Sequence, residues 1–281
     1  MILVRPRRRR IDLTLRYVLL GAGAVVMVAP FAYMLATSFK SHAFVFELPP
    51  QFIPRHPTTA NYRDAWSSNN FDRYFLNSVV VAAATTVGSV LLSSMMAFAF
   101  ARFRFPGRRL LFGLLLIGLM VPTMMLIIPQ FILARRLGLL DSLSGLIFFY
   151  VGGTLALNTF LLRGFFERIP VDLEEAMIVD GASPWTRYRR LIMPLSRPAL
   201  ATVAIFSFLA SWDEFVWALT IINDPEKRTL PIAISLFQGE HQTSWGLVFA
   251  GSAIAVAPVI AVFLFFQRHF VSGLTTGAVK G

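Results

Sequence analysis

The chain has no cysteine among its 281 residues. That excludes disulfides, thiolate nucleophiles and cysteine-based metal centres. Charge is also scarce, at 15% Asp, Glu, Lys and Arg, against roughly 25% in an average soluble domain. Acidic residues are the rarer sign, 15 against 26 basic ones. The four histidines, His42, His56, His241 and His269, are scattered without metal-ligand spacing. No glycine-rich phosphate loop of the form GxxxxGK[ST] occurs, and no nucleophile–base pair can be nominated. The expectation is a chain with no catalytic residue, no metal and no cofactor of its own. Any ATP hydrolysis linked to it falls to another polypeptide.

What the chain has in excess is apolar surface: 56% hydrophobic residues and a mean hydropathy of +0.64. That balance predicts an all-α polytopic membrane protein with six transmembrane helices. The apolar runs fall at 17–39, 77–100, 110–133, 143–162, 200–222 and 246–267. The first run, 23 residues long, exceeds a signal-peptide core and has no convincing small-residue cleavage site, so it reads as a retained span. The expected division is a basic amino terminus (1–16), a six-span domain (17–267) and a short tail (268–281). An external loop (40–76) and a long basic loop (163–198) interrupt the middle part.

The net charge of +11 lies in short blocks between apolar runs. No separate soluble domain carries it, which argues against nucleic acid and for topology determinants facing membrane lipid. Eighteen Lys and Arg residues fall in the amino terminus, the 101–109 loop, the 163–198 loop and the tail, and eight on the other face. The excess predicts that both termini and the 163–198 loop are cytoplasmic. In the third run, Pro122 and Pro129 free backbone carbonyls, which suits either a cavity lining or a packing kink.

Residues 170–194 are the most punctuated part of the chain. Asp172 is placed to cap a helix, with Glu175 closing a capping box. Gly181 falls where a left-handed C-terminal cap belongs. Ser183-Pro184 opens a second helix and Pro194 is expected to stop it. Leu173, Ala176 and Met177 make one apolar stripe, and Trp185, Tyr188 and Ile192 another, with Arg187, Arg189 and Arg190 alongside. Two readings follow: a knob for a partner's groove, or an amphipathic hairpin on anionic lipid.

A second unusual stretch is Trp212, Asp213, Glu214 and Trp217 inside the fifth run. Acidic residues at that depth mark a cavity or a polar partner. One reading is a substrate path, with indoles against a sugar face and a carboxylate accepting hydroxyl hydrogen bonds. The other is a buried polar link or an interfacial aromatic belt.

Glu175-Ala176-Met177, then Gly181, then Leu191-Ile192-Met193-Pro194 resembles the EAA loop of permease subunits of ABC importers. The family pattern is Glu-Ala-Ala, three residues, Gly, nine residues, Ile-x-Leu-Pro. Met177, Leu191 and Met193 depart from it by apolar replacement. Asp180-Gly181-Ala182 and Pro194-Leu195 are similar to the carbohydrate-importer branch. Pro57-Thr58, Asn61-Tyr62, Trp66 and Asn77-Ser78 resemble the first external loop of sugar-importer permeases, and 273–281 resembles the tail of the maltose-type second permease. Where that family usually reads Trp-Asn, this chain has Trp212-Asp213.

The resemblance implies a type I ABC importer permease fold with a cytoplasmic coupling helix, in a bacterial plasma membrane. It implies import of a sugar or related carbohydrate by alternating access. The implied partners are two ATP-binding subunits that carry ATP and magnesium, a second homologous permease and an extracytoplasmic solute-binding protein. The implied ATPase-coupling residues are Glu174, Glu175, Ala176, Met177, Asp180, Gly181, Ala182, Trp185, Tyr188 and Pro194. The rival from another class is an ATP-independent secondary transporter or channel, which would spread coupling charges over several spans. An intramembrane enzyme would need a constellation that the chain lacks.

Overall fold

One proline, Pro122, breaks a long apolar run of this chain, whereas Pro30 and Pro258 lie inside continuous helices. The computed structural model describes residues 6–41, 53–68, 70–239 and 243–278, with backbone alone for 6–12 and 268–278. Residues 42–52 of the external loop, with His42, Pro49 and Pro50, together with His241 and the last residues of the tail, lie outside the described residues. The described helices, in chain order, are α1 (Pro6–Ser38), α2 (Ala60–Ser67), α3 (Phe71–Arg102), α4 (Arg108–Ile117), α5 (Ile127–Arg136), α6 (Leu143–Phe166), α7 (Val171–Val179), α8 (Pro184–Arg187), α9 (Met193–Leu195), α10 (Arg197–Trp212), α11 (Val216–Ile221), α12 (Leu230–Leu236) and α13 (Trp245–Ala278).

Four of these contain stretches long and apolar enough to cross a membrane: Leu13–Ser38, Phe71–Arg102, Leu143–Phe166 and Trp245–Gln267. Two bent pairs, each counted as one span, bring the number to six. The helices of α1 and α13 run on through the basic amino terminus and into the tail.

The third apolar run is not one helix. Arg108–Met120 and Thr123–Arg136 meet at 100°. Val121 (φ −87°, ψ 119°) and Pro122 (φ −59°, ψ 128°) are both extended. The ring of Pro122 clashes with a helical conformation at the residue before it, which pushes Val121 out of the α region. Pro129 bends nothing, because it sits in the first turn of α5, where its missing N–H has no partner to lose. The fifth run is also interrupted: α10 ends at Trp212 and α11 begins at Val216, leaving Asp213, Glu214 and Phe215 outside helix.

The chain divides into two compact units, Met1–Ser68 with Ile234–Ile254 and Asn69–Ala233 with Ala255–Gly281. In the first unit Asn61 is fully buried and donates to the carbonyls of Ser38 and Lys40 at 2.8 and 2.6 Å. Tyr62 shares a 2.6 Å hydroxyl contact with Ser38 and its ring lies 5.1 Å from that of Phe39. This pair ties α2 to the end of α1.

In the second unit α3 and α6 pack along their lengths, and α10 packs against both. Small residues allow the close approach: a Cβ on Gly88 would stand 3.1 Å from Val151. Hydroxyls and amides bridge the seam, Ser89 with Thr154 at 2.7 Å and Asn158 with Ser207 at 2.8 Å. One apolar cluster, including Val81, Leu146, Trp217 and Ile221, and another, including Phe98, Leu162, Phe166 and Ile192, complete the core. The segment 222–230 is stapled to α3 through Asn77, which donates to the carbonyls of Glu226 and Arg228 at 2.9 Å each, and through Ser78, which accepts the Leu230 N–H at 2.8 Å.

Candidate functional site

The 170–194 stretch folds as a helical hairpin, and its turn is the one expected. Gly181 adopts φ +78°. Its N–H donates to Ile178 at 2.9 Å, and that of Ala182 donates to Met177 at 2.8 Å. These are the two bonds of a Schellman cap. Ser183 caps the second helix, accepting the Thr186 N–H at 3.2 Å, with Pro184 in the first turn.

Three local expectations are corrected. Asp172 does not cap, and the box with Glu175 does not form: Pro170 (φ −53°, ψ 131°) is the cap residue and α7 starts at Val171. Asp172 instead sits in the first turn, where a carboxylate favours the positive end of the helix. Pro194 does not stop the second helix. A π-helical turn, Tyr188–Ile192, widens the backbone just before it, and the chain continues through α9 to Ser196. The proline ring would crowd the carbonyl four residues back in a regular α-helix, and the wider turn relieves that. The stripe Trp185, Tyr188, Ile192 does not face outward as a unit. Tyr188 and Ile192 are buried against Phe98, Leu162 and Phe166, and the Tyr188 hydroxyl meets that of Ser94 at 2.8 Å.

The outward surface is apolar all the same. Leu173, Ala176 and Ile178 are exposed, Val179 is 87% exposed and Trp185 58%. Glu175, Asp180 and Arg189 are exposed around them, and Met177 and Ala182 are half-buried. Glu174 is different. It is 3% exposed and lies between two guanidinium groups, those of Arg102 and Arg187. Arg187 Nη1 stands 3.3 Å from its Oε2. Arg102 also donates through Nη2 to the carbonyls of Phe166 and Ile169, both at 2.8 Å.

The second stretch does not act as one group either. Trp212 is 2% exposed; its Nε1 donates to Ala255 at 3.1 Å and its ring stacks on Phe208. Asp213 is exposed outside the helix. Glu214 turns inward and accepts the N–H groups of Trp217 and Ala218 at 2.7 and 3.0 Å, together with the Tyr150 hydroxyl at 2.6 Å. It thereby caps the first turn of α11 after the break. A cavity of about 310 Å³ opens here, lined by Thr123, Gln130, Tyr150, Thr154, Glu214 and Trp217 among others. The segment after Pro122 supplies one of its walls, so the proline that breaks the third run also shapes the cavity. Arg102, Gln130 and Tyr150 carry no local motif; Arg102 is one of four arginines in the 101–109 block, and nothing in that block singles it out.

Residues 89–276 match the family described as "Binding-protein-dependent transport system inner membrane component". The chain belongs to that family. Among its curated relatives, the permease is 36% identical to the galactooligosaccharides transport system permease protein GanQ of Bacillus subtilis, with 98% of each chain covered. It is 37% identical to the trehalose/maltose transport system permease protein MalG of Thermococcus litoralis, over 95% of this chain and 98% of that one. It is 34% identical to the diacetylchitobiose uptake system permease protein NgcG of Streptomyces coelicolor, over 94% and 88%. Its structure is similar to a chain of a bacterial ABC transporter that imports the acidic polysaccharide alginate, with a TM-score of 0.82, 26% identity and coverage of 96% and 100%. The six-span all-helical architecture is therefore that of an ABC importer permease, a multi-pass inner-membrane component.

Proposed function

We propose that this permease imports a carbohydrate, driven by ATP hydrolysed on separate subunits that dock on the 170–194 hairpin. The observation that carries the docking is the exposed apolar crown of Leu173, Ile178, Val179 and Trp185 on a rigidly capped hairpin. Apolar crowns with a charged rim suit insertion into a protein groove. On this reading the hairpin and both termini face the cytoplasm, as the arginine distribution favours. A second homologous permease completes the membrane part and an extracytoplasmic protein delivers the solute; one solved structure with the same fold is of an alginate transporter bound to its periplasmic protein. ATP and magnesium belong to the ATPase pair.

Carbohydrate is the proposed cargo because the relatives named above carry oligosaccharides or disaccharides. The cavity beside Glu214 is the proposed segment of the solute path in this chain. Thr123, Gln130 and Thr154 offer it neutral hydrogen-bonding groups that suit hydroxyls. Trp217 offers an aromatic wall. Asp213 and Trp212 lie apart from that lining.

The test is purification of the tagged permease from its host in mild detergent, with identification of what accompanies it. A P-loop ATPase recovered with the native protein, and lost with Val179→Asp, supports the docking. Solute movement by the chain alone without ATP would overturn it in favour of a secondary transporter. Gln130→Leu is expected to lower uptake while the ATPase still copurifies.

A further inference from the structure

The first helix of the hairpin is attached inside out. Its apolar residues Leu173, Ile178 and Val179 are exposed, and Glu174 is the one α7 residue that is buried. A helix usually holds to its bundle through an apolar face. This one holds through a carboxylate. Arg102 brings the end of α3 to that carboxylate and also binds the Phe166 and Ile169 carbonyls where α6 gives way to the hairpin. Arg187 brings in the second helix of the hairpin. Four helices therefore meet at one buried charge.

We infer that Arg102, Glu174 and Arg187 form a charge clamp that positions α7 and makes it move as one body with the ends of α3 and α6. The inference rests on the proposed docking of an ATPase on the hairpin. Met177 is the one apolar residue of α7 that is even half-buried, so a push on the exposed crown passes mainly through Glu174. Buried charges are stiff links, because separating them leaves each one desolvated and unpaired. They are also directional: each carboxylate oxygen meets its own guanidinium nitrogen, Oε1 the Nε of Arg102 and Oε2 the Nη1 of Arg187, where an apolar contact would let it slide. The arrangement leaves the apolar surface of α7 free for the partner. Glu174 is thus a positioning residue, and Glu175, exposed beside it, is the carboxylate available to a partner.

The absence of cysteine from this chain permits a direct test in the full complex, with the complex of the native chain labelled in parallel as the background from its partners. Spin labels are placed at Asp172→Cys on α7 and Leu157→Cys on α6, both exposed, and the distance distribution is measured by pulsed EPR in lipid nanodiscs. Uptake per ATP hydrolysed is measured in proteoliposomes of the unlabelled complex. Glu174→Gln is expected to broaden the distribution and to lower uptake per ATP by about fivefold or more, with the ATPase still copurifying. Arg187→Met leaves a neutral Arg102–Glu174 pair, which protects folding, and is expected to do the same to a smaller extent. It decides the matter if Glu174→Gln is not recovered from the membrane. Unchanged widths would overturn the clamp, and so would broadened widths with native uptake per ATP. Should no ATPase accompany the native chain, the docking reading fails, while the widths still decide whether α7 is held by charge.

Discussion

Tyr150 donates its hydroxyl to Glu214 at 2.6 Å, joining α6 to the break between α10 and α11 across 64 positions of sequence. The same carboxylate accepts two backbone N–H groups of α11. Three of its roughly four acceptor positions are used in holding the cavity wall in shape. Tyr150→Phe removes one of three donors and is expected to cost about 1 kcal/mol. Glu214→Leu leaves three donors unpaired and is expected to cost about 3 kcal/mol or more. Thermal melts of the detergent-purified complex rank the two, and equal melting temperatures would show that the capping bonds contribute nothing.

Gly181 stands at φ +78° with nothing within 4 Å of an added Cβ. The cost of a side chain there is conformational and not a collision. Gly181→Val is expected to cost about 1–2 kcal/mol of local stability and to reduce uptake with membrane insertion intact. Gly181→Asn, which tolerates the left-handed region, is expected to retain most of the activity. Equal uptake by the valine and asparagine variants would remove the backbone argument.

Gly246 approaches Asn61 so closely that a Cβ would lie 2.7 Å from its Oδ1. The carboxamide cannot swing away freely, because its nitrogen is bound to Ser38 and Lys40. Gly246→Ala is expected to destabilise by about 1–3 kcal/mol. Combined with Asn61→Ala, the loss should be clearly less than additive. Simple additivity in a double-mutant cycle would rule out the contact.

The loop carrying Asp141, Asp224 and Lys227 should respond to pH at both extremes. The Asp224 N–H, followed by that of Asn223 and the Lys227 ammonium, holds the Asp141 carboxyl below its usual range. The Glu226 N–H and Lys227 lower that of Asp224, and Asp224 raises Lys227. A lowered acid stabilises above its unfolded pKa and loses that contribution as pH falls through the folded value; a raised lysine does so as pH rises through its own. Hydrogen-exchange protection of 222–230 is therefore expected to be flat between about pH 5 and 9 and to fall below about pH 4. Asp141→Asn should blunt the acid limb, and an unchanged acid limb in that variant would exclude Asp141 as its source.

Much of this architecture is written in short-range pattern. Apolar runs of span length have no alternative to helix in lipid, since backbone groups there must bond within their own segment. Gly181 and Ser183-Pro184 specify a turn because each meets a local backbone requirement that few other residues satisfy. The Pro122 break is local too, but its size is not: the chemistry dictates an extended residue before proline, while the 100° bend depends on what the two arms pack against.

The charged residues were the least legible. Glu174 and Glu175 are neighbours of one chemistry, and nothing in the sequence says that the first is buried between two arginines while the second meets solvent. Asp213 and Glu214 part in a similar way once the fifth run breaks, while Trp212 and Trp217 are both buried but among different neighbours. Helix length and turn geometry are set by residues within a few positions of one another, so the sequence by itself determined the membrane class and the hairpin turn at Gly181 and Ser183-Pro184. The partner of a buried carboxylate lies 72 positions away for Glu174 with Arg102 and 64 for Glu214 with Tyr150. Only the packing of α3, α6 and α10 brings such pairs together, so the clamp and the cavity wall were decided by the tertiary structure.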